Sequence, residues 1–215
     1  MEALAPRLPC RAAAALLLVL AGCGANEGGT QPSLAAGGQV RTYGSGDMLY
    51  LERRDGATTT RIGLDRRWGG AIAEVSLNGV NMVNAYDPGR EVQLSLYDGD
   101  EPGGDLCGGC EGKWPWNPVH AGDRHGHGSE VLLAQAGDSS LYVVTRPLHW
   151  LPEGRGGAPG TPGPSDMLYA MRVSVVPGSP GAFHVQYRAT HMGRDTHGAA
   201  AQEVPAVYVN RGFDT

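Results

Sequence analysis

Residues 71–85, AIAEVSLNGVNMVNA, decide the fold class of this chain. Apolar side chains alternate with smaller or polar ones over Ala71–Leu77, a pattern that predicts a half-buried β-strand. Asn78-Gly79 follows directly and is a dipeptide favoured in tight hairpin turns, so residues 80–85 are predicted to form the partner strand. This stretch therefore predicts an antiparallel hairpin.

Short alternating segments continue along the rest of the chain. In residues 91–97, Val92, Leu94 and Leu96 fall on one face, and polar side chains occupy the other. No segment of ten or more residues carries a 3.6-residue period, so little helix is expected. Short strands with Gly- and Pro-rich turns predict an all-β fold, an antiparallel β-sandwich. The predicted strands outside the hairpin are 48–52, 60–64, 91–97, 130–135, 141–145, 167–176, 183–190 and 204–207.

The composition limits the classes of partner. The chain has 215 residues, with 34 glycines, 15 prolines and a formal net charge of −5. An acidic chain with dispersed basic residues has no electrostatic attraction for nucleic acid or for an anionic membrane surface, so we expect neither as a partner. The length that remains after removal of a leader suits one domain.

The N-terminus carries a targeting signal. Arg7 and Arg11 precede a short apolar run over residues 12–21, and small residues lead up to Cys23. About ten apolar residues are too few for a transmembrane helix, which needs roughly 20. Residues 20–23, LAGC, resemble the lipobox of bacterial lipoprotein signal peptides. A plain secretory signal and an uncleaved anchor are the alternatives.

The resemblance to lipoproteins implies both processing and an address. In that family the peptide is cut before the cysteine, whose thiol receives a diacylglycerol anchor, so Cys23 is the expected lipidation site. The expected organisation is a signal peptide over 1–22, a flexible tether over 23–42 and a β-sandwich domain over 43–215. The protein is then expected in the bacterial cell envelope, on the outer membrane or the cell surface, with the membrane as a partner through its lipid.

Two cysteines remain for the folded domain once Cys10 and Cys23 are set aside. Cys107 and Cys110 are spaced C-x-x-C, and outside the cytoplasm such a pair is expected to form a disulfide. The alternatives are reduced thiols or a zinc site completed by nearby histidines, whose spacing matches no strong zinc pattern. No cofactor and no metal site are predicted.

The loop over 98–128 has the side chains of a polar-ligand site. Trp114 and Trp116, each beside a proline, are interpreted as stiff, exposed platforms that stack on the apolar face of a sugar. Asn117 and Asp123 would bond the hydroxyl groups of that sugar. Alternatively, the tryptophans close one end of the sandwich and Asn117 caps a turn.

Two more polar sets flank the predicted strands. Arg90 and Gln93 lie beside the turn at 87–89, and Gln202 and Glu203 precede the last strand. All four are predicted to bond carbohydrate. Burial beside an apolar strand can raise the pKa of a glutamate and fit it for acid–base work, and a solvated strand edge is the alternative.

Four blocks of sequence carry a second resemblance. Residues 67–72, 83–90, 116–123 and 202–208 are similar to those of a group of bacterial secreted proteins whose architecture looks like the galactose-mutarotase-like supersandwich. That superfamily includes aldose epimerases and the sandwich domains of many polysaccharide lyases and glycoside hydrolases. The resemblance implies the same two-sheet fold and a carbohydrate partner.

The epimerases of that superfamily use a histidine acid and a glutamate base. His120 and Glu203 are the nearest pair in this chain, although the characteristic sequences around the family's pair are not evident. The chain is also short for a supersandwich, so the expectation is either a fold shortened at its C-terminus or a sheet completed in another way.

The hypothesis is therefore a lipid-anchored envelope protein that binds carbohydrate and, in an enzymatic version, processes it. The alternative is a non-catalytic envelope protein that binds a protein or cell-wall partner through its aromatic loop, and a third is a metal-dependent hydrolase.

Overall fold

The computed structural model describes residues 18–20, 38–98, 116–155, 158 and 160–213. Within these ranges the chain forms strands and two short 3₁₀ turns, and no α-helix. Among the described residues, no helix has the length and hydropathy needed to span a bilayer. The elements are β1 (Leu18–Leu20), β2 (Gln39–Ser45), β3 (Met48–Asp55), β4 (Thr58–Asp65), η1 (Arg66–Trp68), β5 (Ala71–Leu77), β6 (Val80–Asn81), β7 (Val92–Ser95), β8 (Pro118–Val119), β9 (Glu130–Ala136), β10 (Ser140–Arg146), β11 (Leu148–His149), η2 (Pro152–Arg155), β12 (Met167–Val175), β13 (Phe183–His191) and β14 (Glu203–Val207).

The strands form two sheets that enclose a common core. The smaller sheet has the strand order β1-β13-β12-β10-β9, and the larger has the order β11-β8-β7-β5-β4-β3-β2. In the larger sheet β14 also pairs with β7, and β6 pairs with β5. The strands pair antiparallel except for β1, which runs parallel to β13 at the edge of the smaller sheet. The predicted all-β antiparallel sandwich is therefore confirmed.

The hairpin predicted from residues 71–85 is present. The turn residues Asn78 and Gly79 take φ angles of 50° and 83°, the left-handed conformation that a two-residue turn of this kind requires. The partner strand β6 is shorter than predicted and ends at Asn81. The Asn81 side chain explains this, because it bonds three backbone groups of the hairpin in place of further ladder bonds.

The other predicted strands are also present within a few residues of their expected bounds. The strands β2, β8 and β11 were not predicted. β2 pairs with β3 along its whole length, so residues 39–42 belong to the sheet and not to the expected tether. β2 buries none of its side chains fully, which explains its weak apolar alternation.

The core lies between the two sheets. Its larger cluster draws side chains from β3, β4, β5 and β7 on one side and from β10, β12 and β13 on the other. A smaller cluster beside it contains Leu94, Trp116, Met167 and Tyr169. Each fully buried aliphatic or aromatic side chain contributes about 1.5–3 kcal/mol to folding. The larger cluster consists of Leu51, Ile62, Leu64, Ile72, Val75, Val83, Val92, Leu141, Val143, Met171, Val173, Val175, Phe183 and Val185.

Three glycines allow two loops to pack backbone against backbone. A Cβ at Gly69, Gly122 or Gly128 would overlap a backbone carbonyl oxygen of the facing segment. Gly122 and Gly128 also form an isolated antiparallel bridge with each other. The loop over 120–129 is thereby held against η1. At the start of this loop the backbone amide of His120 donates to the carbonyl of Leu94 in β7.

Candidate functional site

Strand β7 carries the residues that organise the candidate site. Val92 and Leu94 face the core, so Gln93 and Ser95 face the opposite side of the larger sheet, away from the smaller sheet. Ser95 is flanked on both sides, because it pairs with Glu203 of β14 and with Val119 of β8. Residues from three distant parts of the chain therefore meet on this outer face.

A cavity of about 190 Å³ lies at this junction, and we call it the β7 pocket. It combines aromatic rings with a carboxylate, a hydroxyl and amides. Three of the residues predicted to bind carbohydrate line it, namely Gln93, Asn117 and Glu203. The full lining is Gly89, Gln93, Ser95, Tyr97, Asn117, Val119, Trp150, Glu203 and Tyr208.

The carboxylate of Glu203 is the centre of charge in the β7 pocket. Burial raises the pKa of Tyr97, a contact with Ser95 opposes the shift, and Glu203 raises it further. Burial and the charge of Glu203 also raise the pKa of Tyr208, against the opposing charge of Arg90. Both phenols therefore keep their protons near neutral pH and can donate hydrogen bonds.

Asn117 lines the pocket floor beside Ser95. The hydroxyl of Ser95 donates to Oδ1 of Asn117 at 2.8 Å, and both side chains are buried. Arg90 lies near the rim, where its guanidinium pairs with Asp87 and stands 5.5 Å from the ring centroid of Tyr86. Arg90 therefore contributes charge near the pocket while its own groups are engaged.

Gln93 and Gln202, which were predicted to bind carbohydrate, form hydrogen bonds with the backbone of neighbouring segments. Gln93 donates through Nε2 to the carbonyls of Pro88 and Arg90 at 3.0 and 2.8 Å, and its Oε1 accepts from the amide of Ala121 at 2.8 Å. Gln202 exchanges two hydrogen bonds with the backbone of Tyr97, at 2.7 and 2.9 Å. Both amide groups therefore position the backbone around the pocket, and the ligand contacts predicted for Gln93 and Gln202 stay predictions.

Asp123 is also a structural residue. Its side chain is fully buried and accepts from the backbone amides of His125 and His127 at 2.9 and 3.0 Å. Its second oxygen contacts Nδ1 of His127 at 2.8 Å. Asp123 therefore closes the 123–127 turn, and the predicted contact with a ligand is wrong.

Trp116 faces the core, contrary to the predicted exposed platform. Only 3% of it is exposed, and it packs with Leu94, Met167 and Tyr169. Its ring stacks on His197 with centroids 3.8 Å apart. The large apolar area of the indole accounts for this, since burial gains more than exposure on a loop.

His120 also points into the core and not toward Glu203. Its ring lies edge-on to Tyr169 and Tyr187, with centroids 5.8 and 6.5 Å away. Burial lowers the pKa of His120 to about 4, and the nearby Gly69 backbone opposes the shift. His120 and Glu203 occupy opposite faces of the larger sheet, so the predicted acid–base pair cannot act on one substrate in this arrangement.

Trp114, Cys107, Cys110 and Cys23 lie outside the described residues. The stacking, disulfide and lipidation predicted for them stay predictions.

A buried carboxyl lies immediately before β7. Glu91 is fully buried with a φ of 93°, and neither of its carboxyl oxygens has a hydrogen-bond partner among the described residues. Burial raises its pKa to about 9, the charge of Asp65 raises it further, and Arg67 opposes the shift. Glu91 is therefore protonated at neutral pH.

A second group of polar side chains was missed by sequence reasoning, and we call it the histidine–aspartate cluster. It consists of Asp166, His191, Asp195 and His197, whose candidate ligand atoms all lie within 4.8 Å of one another. Three of the four fall within residues 191–197, HMGRDTH, and this local density was the available signal. The spacing fits no established motif, so sequence alone did not single it out.

The fold and the β7 pocket define a two-sheet antiparallel β-sandwich with a small, partly aromatic pocket on the outer face of its larger sheet. Comparison of the chain with models of protein families, with curated proteins and with solved structures gives no match. A functional assignment therefore depends on the residues of the chain itself.

Proposed function

We propose that this protein is a lipid-anchored component of the bacterial cell envelope that binds carbohydrate in the β7 pocket. The observation that carries the proposal is the meeting of Trp150, Tyr208, Asn117 and Glu203 around one cavity on the outer face of the larger sheet. The LAGC segment at 20–23 supports the envelope location.

The pocket lining matches the surface of a sugar. A pyranose has an apolar C–H face and a rim of hydroxyl groups, and aromatic rings suit the first while polar groups suit the second. Trp150 and Tyr208 supply rings, and Glu203 supplies a carboxylate that accepts from hydroxyl groups. The phenol of Tyr97, whose pKa is raised by burial, supplies a donor.

The size of the pocket favours a small ligand. Its volume of about 190 Å³ falls below the roughly 300–1,000 Å³ of sites for drug-sized molecules. One sugar residue or the end of a glycan chain is therefore the proposed occupant. His120 faces the core, and the described lining of the β7 pocket contains Glu203 and no histidine, so the proposal concerns recognition.

Glycan-array screening followed by calorimetric titration of the full chain tests this proposal. We expect Glu203→Gln and Trp150→Ala each to weaken binding at least tenfold, since each removes a group that lines the cavity. Glu130→Gln, an exposed carboxylate on β9 in the other sheet, is the matched control and should bind as wild type does.

Equal affinity in all four proteins would contradict the pocket assignment. Capture of a protein partner that survives Trp150→Ala, without glycan binding by wild type, would favour the alternative of a protein-binding envelope component.

The proposed anchor has its own test. Cys23→Ala should move the protein from the membrane fraction to the soluble envelope fraction, because the thiol that carries the lipid is lost. Processing before Cys23 would also remove the edge strand β1 from β13. An unchanged membrane fraction in Cys23→Ala would contradict lipidation at this residue.

A further inference from the structure

The histidine–aspartate cluster lies at the open end of the β12–β13 hairpin, where the first residue of β12 pairs with the last residue of β13. Asp166 immediately precedes β12 and His191 ends β13, while Asp195 and His197 lie in the loop that leads to β14. Nε2 of His191 lies 2.8 Å from Oδ2 of Asp166, 3.3 Å from Oδ1 of Asp195 and 3.3 Å from Nε2 of His197. Nε2 of His197 lies 3.7 Å from Oδ2 of Asp195.

We propose that this cluster binds a divalent first-row transition metal ion, with Zn²⁺ as the best-fitting ion. Tetrahedral zinc with bonds of about 2.0–2.1 Å places its ligand atoms about 3.3–3.4 Å apart. These four separations of 2.8–3.7 Å bracket that value, and all the candidate ligand atoms lie within 4.8 Å of one another, so side-chain shifts that draw the wider pairs together would admit the ion. Ca²⁺ and Mg²⁺ prefer oxygen ligands, so a ligand set with two imidazole nitrogens suits a transition metal ion better than either of them.

A buried carboxylate orients one of the histidines as metal sites require. Nδ1 of His197 contacts Oδ2 of Asp98 at 2.6 Å, so its Nε2 is left to point at the other three ligands. The side chain of Asp98 is 7% exposed and its other oxygen accepts from the amide of Gly198 at 2.8 Å. A carboxylate behind a ligating histidine fixes the tautomer and raises the basicity of the ligand nitrogen.

Two further contacts preform the cluster. Nε1 of Trp116 donates to Oδ1 of Asp166 at 3.3 Å, which leaves Oδ2 directed at His191. The indole also stacks on His197, so a residue of the smaller core cluster holds this imidazole in place. A Cβ at Gly193 would overlap ligand atoms of Asp166, Asp195 and His191, so glycine at this position keeps the space between them clear.

The bound ion would join the start of β12, the end of β13 and the loop toward β14. Four protein ligands complete a tetrahedron, which is typical of a structural zinc site. The site is distinct from the β7 pocket, so its presence does not depend on carbohydrate binding.

Titration of the full chain, prepared without a histidine tag, with ZnCl₂ tests the proposal. Calorimetry and elemental analysis should show one zinc per chain, and Co²⁺ should give the intense visible absorption of a tetrahedral site. His191→Ala and Asp195→Asn should each weaken zinc binding at least tenfold. Asp195→Asn is the decisive variant, because this side chain is 48% exposed and its replacement leaves the core intact.

His125→Ala is the matched control. His125 is 27% exposed and bonds one carboxylate, that of Glu153, much as the 28% exposed His191 bonds Asp166, but it lies outside the cluster. It should bind zinc as tightly as wild type, and so should the Cys107→Ser/Cys110→Ser variant. Zinc should also raise the melting temperature of wild type and not of Asp195→Asn.

Three results would overturn the proposal. They are no zinc uptake by wild type, unchanged affinity in both His191→Ala and Asp195→Asn, and loss of zinc in the Cys107→Ser/Cys110→Ser variant while the cluster is intact.

Discussion

Replacing Glu91 by glutamine should change how the stability of this protein depends on pH. Glu91 is fully buried, its carboxyl oxygens have no partner among the described residues, and its pKa is raised from 4.5 to about 9. Glutamine keeps the shape and the backbone preference of the side chain but cannot ionise. The variant therefore isolates the free energy of titrating this one group.

The size and sign follow from proton linkage. Between pH 4.5 and about 9 the unfolded chain has released the Glu91 proton and the folded protein retains it, so folding takes up one proton. Wild type should therefore lose about 1.4 kcal/mol of unfolding free energy per pH unit relative to Glu91→Gln. From pH 6.5 to about 8.5 the relative loss should reach about 3 kcal/mol.

Urea denaturation at several pH values measures this difference. We expect the gap between variant and wild type to widen steadily with pH and to level off above about pH 9. Glu130→Gln, which removes an exposed carboxyl on β9, should show a nearly constant gap over the same range. A constant gap for Glu91→Gln would refute the argument, because Glu91 would then ionise with an ordinary pKa in the folded protein.

Three other predictions concern the core and the loop over 120–129. Burial lowers the pKa of His120 to about 4, so wild type should lose about 3 kcal/mol relative to His120→Gln as the pH falls from 6.5 to about 4, measured by urea denaturation. Tyr169→Phe should cost about 1 kcal/mol, because its hydroxyl donates to a backbone carbonyl at 2.9 Å, whereas Tyr187→Phe should be neutral or slightly stabilising, because its hydroxyl has no partner among the described residues. Similar losses in the two tyrosine variants would contradict this reasoning. Gly69→Ala should lower the free energy of unfolding by about 3 kcal/mol, because the added Cβ overlaps a carbonyl oxygen and the backbone φ is 60°. Gly79→Ala, at a φ of 83° with open space around it, should lower it by only about 1 kcal/mol. Equal losses of melting temperature in the two variants would contradict the packing described for Gly69.

Alternation of apolar side chains was sufficient to locate most strands. β10 and β12 bury nearly every second residue, and that regular pattern is visible in the sequence. β2 has no fully buried side chain, and β8 and β11 contain two residues each, too few for any period to appear. These three strands were missed by sequence reasoning, and so was β1, a three-residue strand at the edge of the smaller sheet.

The shortness of β8 also explains why the orientations of Trp116 and His120 were predicted wrongly. Around β8 the orientation alternates, so Asn117 lines the outer pocket while Trp116 and His120 point into the core. A shift of one residue reverses every face of a strand, and two residues give no basis for choosing between the two registers. The sequence located Glu203 at the start of a strand, because β14 is longer and its apolar residues are recognisable. The pairing of β14 with β7 then brings Glu203 to the pocket.

The histidine–aspartate cluster illustrates a different limit. His191, Asp195 and His197 are close in sequence, but the hydrogen bonds to Asp98 and Asp166 span long chain separations. Only the pairing of β12 with β13, which puts Met167 opposite His191, brings Asp166 beside them. Such a site becomes visible when the register of a hairpin is known.

The close backbone packing at Gly69, Gly122 and Gly128 has a consequence for finding distant homologues. Any side chain larger than hydrogen at these positions would collide with a carbonyl group, so we expect proteins that share this fold by descent to retain glycine at all three sites. Their spacings, 122 − 69 = 53 and 128 − 122 = 6 residues, together with the Asn78-Gly79 turn, form a sparse signature. A search with that signature would test for homologues whose overall sequence identity to this chain is too low to detect.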